Sequence, residues 1–590
     1  MSEPIRIGNI SGLFGDRPTA MREMLADPAV EVLTGDWLAE LTMLILARTR
    51  MKRPDGGYGR TFVTQVSEVL DEILERGIRV VVNAGGLDPL GCAAAVEESA
   101  SRLGLEPKVA AITGDDLAPR LGELIADGYE FRNLETGEKL GDRPVIVANA
   151  YLGGWGIARA LEKGADIVVT GRVTDAALAV GPAIWRHGWV RDDWDRLAGA
   201  VVAGHVIECG SQATGGNYSF FSEIEDMVLP GFPWAEVAQD GSSVIGKPDG
   251  SGGEVTVGTV TSQLLYEVGG PRYHNPDVTV RMDSISIEQL DTDRVRLTGI
   301  RGEPPPETLK VSAAYPGGFR NSLMIGLTGT DDLTKMRLLE KQVWAVSPVA
   351  RDEIAETRTT LIGGGVPDPD SNAAAISYVE FAVADPDEDK VGREWSNALA
   401  SIALASIPGL FGVWPPGPAK PYAVFWPTTI SRDAVTPVVH LGGESWEVLE
   451  TEPGEWREAS VPRFDPPPAP LGDTTTLAAL GLVVGARSGD KGGNANLGVF
   501  ARSESAHGWL HEFLTVERLK QLLPDLAELE VERFEFPRLR AVNFLIHGLL
   551  DEGVASTLRV DPQAKGLGEY LRAKLVELPT SLFSGAAVHK

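Results

Sequence analysis

His205 and Glu208 stand three residues apart in a segment, 195–213, whose pattern predicts a helix, so both side chains fall on one face. A carboxylate that holds an imidazole is a working arrangement for proton transfer, and equally a polar contact at a helix end. Cys209 and Ser211 follow directly, before a TGGN turn closed by Asn217. Cys209 reads as a nucleophile or as a small buried hydrophobe. Arg172, in TGRVTD, lies just past an apolar run and beside a glycine, which suits bidentate capture of a carboxylate or phosphate. Asp175, three residues on, is either its internal ion-pair partner or a further group for the chemistry. Arg17, in GDRP, is a weaker case of the same kind.

The run GARSGDKGGNANLG (485–498) places five glycines and two asparagines around Arg487, Asp490 and Lys491. Glycines let successive backbone N–H groups face an anion, so the run predicts a phosphate or carboxylate clamp; the alternative is a long hairpin turn. It lacks the spacing of a P-loop. Asp36, Asp88, Asp115 and Asp175 each follow an apolar run. They read as oxygen ligands for a Mg²⁺ ion or as helix N-caps. No HxH, CxxC or HExxH spacing supports zinc. The Gly85-Gly86 and Gly153-Gly154 turns offer backbone amides for an oxyanion. A dinucleotide fingerprint (GxGxxG after a strand) and a GxSxG elbow are both absent.

The elements that must position these residues follow a simple rhythm. Six apolar runs (5–12, 30–37, 78–86, 108–116, 144–154 and 165–175) each end in glycine, asparagine or aspartate, with helix-length segments between most of them. That predicts an α/β domain on a largely parallel sheet flanked by helices, with ligands outside the carboxyl ends of the strands. Predicted helices cover 60–76, stopped by Gly77, and 88–103, opened by Asp88-Pro89. The stretch 38–47 reads as a core helix whose apolar run is broken by Glu40 and Thr42. From 218 to 451 β-branched and turn residues dominate, with helical pieces near 331–346 and 391–406. Residues 452–474 are proline-rich and read as a linker. Residues 475–590 read as a small α+β domain of ferredoxin-like kind.

Five of these motifs, in order, are GNISGLFGDRP (8–18), NAGGLDP (83–89), TGRVTDAALAVGP (170–182), HVIECGSQATGGNYS (205–219) and ARSGDKGGNANLG (486–498). Together they make the chain resemble the acyclic terpene utilisation AtuA family over nearly its whole length. The resemblance implies a large AtuA domain followed by a small ferredoxin-fold domain. It also implies a place in the breakdown of branched terpenoids such as citronellol and geraniol, which runs through CoA thioesters. It carries no catalytic residue with it.

With 43% hydrophobic and 23% charged residues the 590-residue chain has the composition of a soluble protein of more than one domain. A net charge of −29 argues against nucleic acid or an anionic membrane as partner. Two cysteines, no secretory leader pattern and no long apolar run point to a cytoplasmic protein with reduced thiols. Size and class favour a homo-oligomer. The strand-end polar residues, taken with what the resemblance implies about CoA thioesters, point to a hydratase, dehydratase or carbon–carbon lyase acting on a branched unsaturated or 3-hydroxy acyl-CoA. In that reading His205, Glu208 and Asp175 handle protons. Arg172, Arg17, Gly85, Gly86, Gly153, Gly154, Asn217, Arg487, Asp490 and Lys491 bind the ligand. The alternative is a non-catalytic subunit or scaffold of a CoA-thioester carboxylase or hydratase assembly.

Overall fold

The computed structural model describes residues 3–53, 56–364, 366–448, 457–465, 467–469 and 474–583. The chain divides into two units: Met1–Ala313 with Trp426–Leu550 and Gln563–Lys590, and Ala314–Phe425 with Asp551–Pro562. Of the stretch read as a linker, residues 452–456, 466 and 470–473 lie outside the described residues, and the remainder carries no helix or strand. Among the described residues no helix is long and apolar enough to cross a membrane.

The first unit is organised by β1 (Ile5–Ser11), β2 (Val32–Gly35), β3 (Arg79–Val82), β4 (Val109–Thr113) and β6 (Ile167–Thr170). They lie side by side in the order β1-β2-β3-β6-β4, every pair parallel. Val80 to Val82 and Ile167 to Val169 are fully buried, as parallel strands covered on both faces must be. The helix Pro89–Arg102 shows why the βα rhythm was readable: Asp88 caps it by accepting the Gly91 N–H at 2.9 Å, with proline at its first turn. The predicted helix 60–76 is two, Arg60–Ser67 and Leu70–Arg76, the second closed by Gly77 at φ +67°.

Two expectations need correction. The sheet is mixed rather than largely parallel. Beyond β1 it continues antiparallel through β7 (Trp234–Val237), β8 (Ser243–Gly246), Arg294–Thr298 and Ser286–Asp291; beyond β4 it continues antiparallel through Val438–Leu441 and Glu444–Glu447. These hairpins come from the strand-rich part of the chain, where short connections permit only antiparallel pairing. The fifth apolar run also stays out of this sheet. Its strand β5 (Val147–Ala150) pairs with Thr308–Thr328, and only its loop reaches the carboxyl edge.

The ferredoxin-like segment carries a four-stranded antiparallel sheet in the order Val484–Lys491, Asn494–Ala501, Ala541–Ile546, Val531–Phe536. Its core includes Leu497, Leu510, Leu519, Phe544 and Leu571. Its last helix, Leu567–Arg572, is followed by the strand Leu575–Pro579, paired with Thr475–Ala479. Two helices follow the hairpin, Glu504–Phe513 and Val516–Leu522, the second capped by Thr515 on the Arg518 N–H at 3.1 Å.

In the second unit the part of Thr308–Thr328 from Ala314 onward pairs with Ile376–Asp385, which pairs with Glu356–Ile362. The helices Asp332–Val346 and Arg393–Ser401 match the two helical pieces expected there. Its core is built on Leu323, Ile325, Leu339, Phe381 and Trp395.

Candidate functional site

Polar residues leave the carboxyl ends of the parallel strands one after another: Asp36 after β2, Asn83 after β3, Asp115 after β4 and Arg172 after β6. They lock to each other. Asn83 donates from its amide to Asp36 at 2.5 Å and accepts the Trp37 N–H at 2.7 Å. Asp115 accepts the Arg172 N–H at 2.7 Å and the Asn149 amide at 2.8 Å. Burial nonetheless raises Asp36 well above the carboxylate range, reinforced by the Asp175 charge and opposed by Arg172.

Asp115 gives a test of stability against pH. Burial pushes its carboxyl up to about 7 from an ordinary 3.8, against its two hydrogen bonds. The folded state holds this proton more tightly than the unfolded one. The stabilisation is therefore complete below the unfolded value and is lost as pH rises through the folded one. Asp115→Asn keeps an oxygen for both donors and cannot ionise. The urea midpoint of this variant is expected to fall less than that of the parent between about pH 4 and pH 8; parallel midpoints at every pH would contradict the assignment.

Arg172 is the hub of the edge. Its Nη1 lies 2.9 Å from Asp175 and donates to the Leu38 carbonyl at 3.0 Å, and its guanidinium lies 4.3 Å from the Tyr151 ring centre. The same ring holds the Lys310 ammonium at 4.7 Å, and its hydroxyl donates to Glu40 at 3.0 Å. Glu40 lies 3.6 Å from Lys310; burial works against its charge, yet Lys310 and Arg172 bring it down to about 2. Side-chain exposure falls from 41% at Lys310 and 31% at Glu40 through 25% at Asp175 to 5% at Arg172 and Glu208 and 1% at His205. Lys310 and Glu40 are partly exposed to solvent, and the cleft is the cluster of side chains that runs from them to buried His205.

His205 lies in the last turn of the helix Trp194–Ile207, and Glu208 is its C-cap. His205 Nδ1 is 3.1 Å from Glu208 Oε1. Burial pulls the imidazole down to about 4, against Glu267. Burial, with Asp175 and Glu267, raises Glu208 well above its ordinary value. Both shifts run toward the neutral forms, the direction that burial imposes on an imidazole and a carboxyl alike. His205 Nε2 and Glu208 Oε2 are buried without a close hydrogen-bond partner among the described residues, and the Leu264 carbonyl lies near enough to the imidazole to favour its protonated form. Tyr273 packs on the imidazole at 5.3 Å between ring centres, and burial holds its phenol protonated.

The run 485–498 is a hairpin, not a glycine nest. Val484–Lys491 and Asn494–Ala501 pair to the last residue, leaving Gly492-Gly493 as a two-residue turn with φ +68° at Gly492. Its other glycines serve close packing: a Cβ on Gly489 would meet the Tyr266 ring at 2.4 Å, and one on Gly498 would meet Leu265 at 2.6 Å. The side chains do reach the cleft. Arg487 hydrogen-bonds Gln212 and stacks 4.4 Å from the Tyr266 ring centre. Lys491 donates to the Glu267 carbonyl at 2.9 Å. Burial raises Asp490 to about 7, with Glu267 and Glu40 adding to it.

Two buried asparagines hold this hairpin sheet against the strand-end domain. Asn496 donates to the Leu265 carbonyl at 2.8 Å and to Asn543 at 2.7 Å and accepts the Glu267 N–H at 2.9 Å; Asn543 donates to the Val268 carbonyl at 2.7 Å. Asn496→Ala strands three buried partners and is expected to destabilise the protein by roughly 2–4 kcal/mol, read from urea unfolding. A loss within a few tenths of a kcal/mol would contradict that role.

Several expected residues lie elsewhere or are engaged. Arg17 pairs with Glu23 at 2.6 Å and donates to the Pro230 carbonyl at 2.7 Å, a structural contact. The Gly154 N–H is bound by Asp277 at 2.9 Å, and a Cβ on Gly153 would meet that carboxylate at 2.3 Å, so this turn offers no oxyanion donor. The Gly86 N–H closes a turn on the Asn83 carbonyl at 3.2 Å, and Gly85 is small because Thr170 O lies 2.5 Å from where its Cβ would stand. Asn217 is exposed in a left-handed turn at φ 58°. Asp88 is a helix cap. Burial, with Glu208 and Glu267, raises the Cys209 thiol far above its ordinary value, which disfavours a thiolate nucleophile. Among the described residues no group of three or more His, Cys, Asp or Glu side chains is arranged to hold a metal; Asp36, Asp88 and Asp115 accept protein hydrogen bonds and Asp175 pairs with Arg172, so the Mg²⁺ expectation finds no ligand set.

Residues 5–441 match the family described as acyclic terpene utilisation family protein AtuA, and residues 478–577 match the AtuA ferredoxin-like domain. The chain belongs to the AtuA family. No curated protein and no solved structure matches it. The AtuA part supplies the strand ends, the His205–Glu208 pair and Lys310, and the AtuA ferredoxin-like domain supplies Arg487, Asp490 and Lys491. Four members of the cluster carried no sequence signal strong enough to single them out as site residues: Glu40, Glu267, Tyr273 and Lys310. Only Glu40 left a trace, as a charge interrupting an apolar helix. The family name ties the chain to acyclic terpene utilisation.

Proposed function

We propose that the cleft adds water to, or eliminates it from, a branched unsaturated or 3-hydroxy acyl-CoA during acyclic terpenoid breakdown. The observation that carries this reading is the buried His205–Glu208 contact at 3.1 Å at the end of its helix, with burial pushing both groups toward their neutral forms. If Nδ1–H donates to Glu208 Oε1, Nε2 keeps a lone pair and Oε2 keeps a proton. A base and an acid then stand side by side.

In dehydration Nε2 of His205 takes the Cα proton of the thioester. The electron pair forms the Cα–Cβ double bond, the Cβ–O bond breaks, and Oε2–H of Glu208 protonates the departing hydroxide to water. The imidazolium and carboxylate left behind return to the neutral pair by proton exchange with water. Hydration is the reverse. With the Gly86 and Gly154 amides engaged, the Tyr273 phenol is the donor near the pair for an enolate oxygen. Arg172 and Arg487 supply positive charge for an anionic ligand in a chain that is otherwise strongly acidic.

The test is a panel of branched enoyl- and 3-hydroxyacyl-CoA thioesters incubated with the purified protein and followed by mass spectrometry for gain or loss of water. Conversion of at least one member is expected. No conversion and no binding across the panel would overturn the reading.

A further inference from the structure

Lys491 is a lysine of the cluster whose ammonium has no carboxylate partner among the described residues. Arg172 has Asp175 at 2.9 Å and Lys310 has Glu40 at 3.6 Å. Among the described residues no carboxylate oxygen lies within 4.0 Å of the Lys491 ammonium, and its one hydrogen bond goes to a neutral acceptor, the Glu267 carbonyl. An ammonium carries three donors, so two are left over. The side chain leaves the last residue of a strand paired along its whole length, just before the Gly492-Gly493 turn, which fixes where the amine sits. Nζ lies 5.8 Å from the centre of the Tyr273 ring, the ring that also packs on His205.

Burial and then the charge of Lys310 draw the Lys491 pKa below the ordinary lysine value, while Glu267, Glu40 and Asp175 resist. The Lys491 charge acts on His205 and Glu208, lowering the pKa of both. A desolvated lysine beside a second cation is the setting in which an amine becomes a nucleophile toward carbonyls.

We propose that Lys491 is a covalent site: its Nζ captures the ketone carbonyl of a small 3-oxo carboxylate as a Schiff base. The free amine's lone pair bonds to the carbonyl carbon, and the C=O π pair moves to oxygen, which takes a proton. Nitrogen loses a proton, the C–O bond breaks as the hydroxyl is protonated, and water departs, leaving an iminium. Overall, amine, ketone and one proton give iminium and one water, with no change of oxidation state. The ligand's carboxylate has Lys310 to answer it, whose contact with Glu40 at 3.6 Å is too long for a hydrogen bond. The iminium then draws electrons from the adjacent carbon–carbon bond, which suits carbon–carbon cleavage beyond the water chemistry proposed above. Capture itself does not depend on that chemistry.

The experiment is reductive trapping. Full-length protein is incubated at neutral pH with acetoacetate and sodium cyanoborohydride, then read by intact mass and peptide mapping, with pyruvate and acetone as further probes. The expected result is one reduced adduct, on Lys491, formed with acetoacetate in preference to acetone and absent from Lys491→Arg, which keeps the charge and cannot form an imine. Circular dichroism of Lys491→Arg checks that the fold is retained. Label scattered over surface lysines to the same extent in parent and variant, or no adduct on Lys491 with any of the three probes, would overturn the proposal.

Discussion

Glu208→Gln is expected to lower turnover in the water-elimination assay by about 10²–10⁴-fold with little effect on thioester binding. The amide preserves the oxygen that can accept from His205 Nδ1, so the imidazole keeps its place and tautomer. What disappears is the proton on Oε2, the group assigned to leave with the hydroxyl. His205→Ala should cost a similar factor by removing the base, and the double variant should cost little more than either single one, because the two act as a unit. Near-parental urea midpoints would assign the loss to chemistry rather than folding. Unimpaired turnover in either single variant would make the pair a buried helix-end contact.

Arg172→Met is expected to be the most destabilising single change at the site, by about 3–5 kcal/mol. The guanidinium is 5% exposed and pairs with Asp175, and its charge also favours the ionised forms of Glu40, Asp36 and Glu208. Removing it leaves Asp175 without its ion-pair partner and Glu40 with Lys310 alone, in a poorly solvated place. Adding Asp175→Asn should recover part of the loss, since the uncompensated anion goes with it; the measure is the coupling in a double-mutant cycle by urea unfolding. Independent, additive effects would mean that the ion pair at 2.9 Å contributes nothing specific.

How much of this was readable from the chain differs by element. The alternation of apolar run and polar turn locates the functional edge, because parallel strands must be apolar throughout and their exits cannot be. Asp88-Pro89 reads as a cap and acts as one. His205 and Glu208 were found from helical spacing alone, which is local. The run 144–154 misled because a buried edge segment and a central strand have the same composition; pairing with Thr308–Thr328 is a long-range choice. The 485–498 glycines misled for another reason: close approach of Tyr266 and Leu265 demands glycine as strictly as an anion nest does. Lys310 and Glu267 come from unremarkable strand and turn sequences and reach the cleft only through tertiary packing.

The most direct measurement of the central claim is deuterium uptake at Cα of a branched 3-hydroxyacyl thioester incubated with the protein in D₂O and read by mass spectrometry. With His205 as the base and Glu208 as the acid, uptake should occur with the parent protein and persist in Glu208→Gln, which cannot complete elimination, and it should vanish in His205→Ala. Equal uptake by the parent and His205→Ala, or uptake by neither, would contradict it.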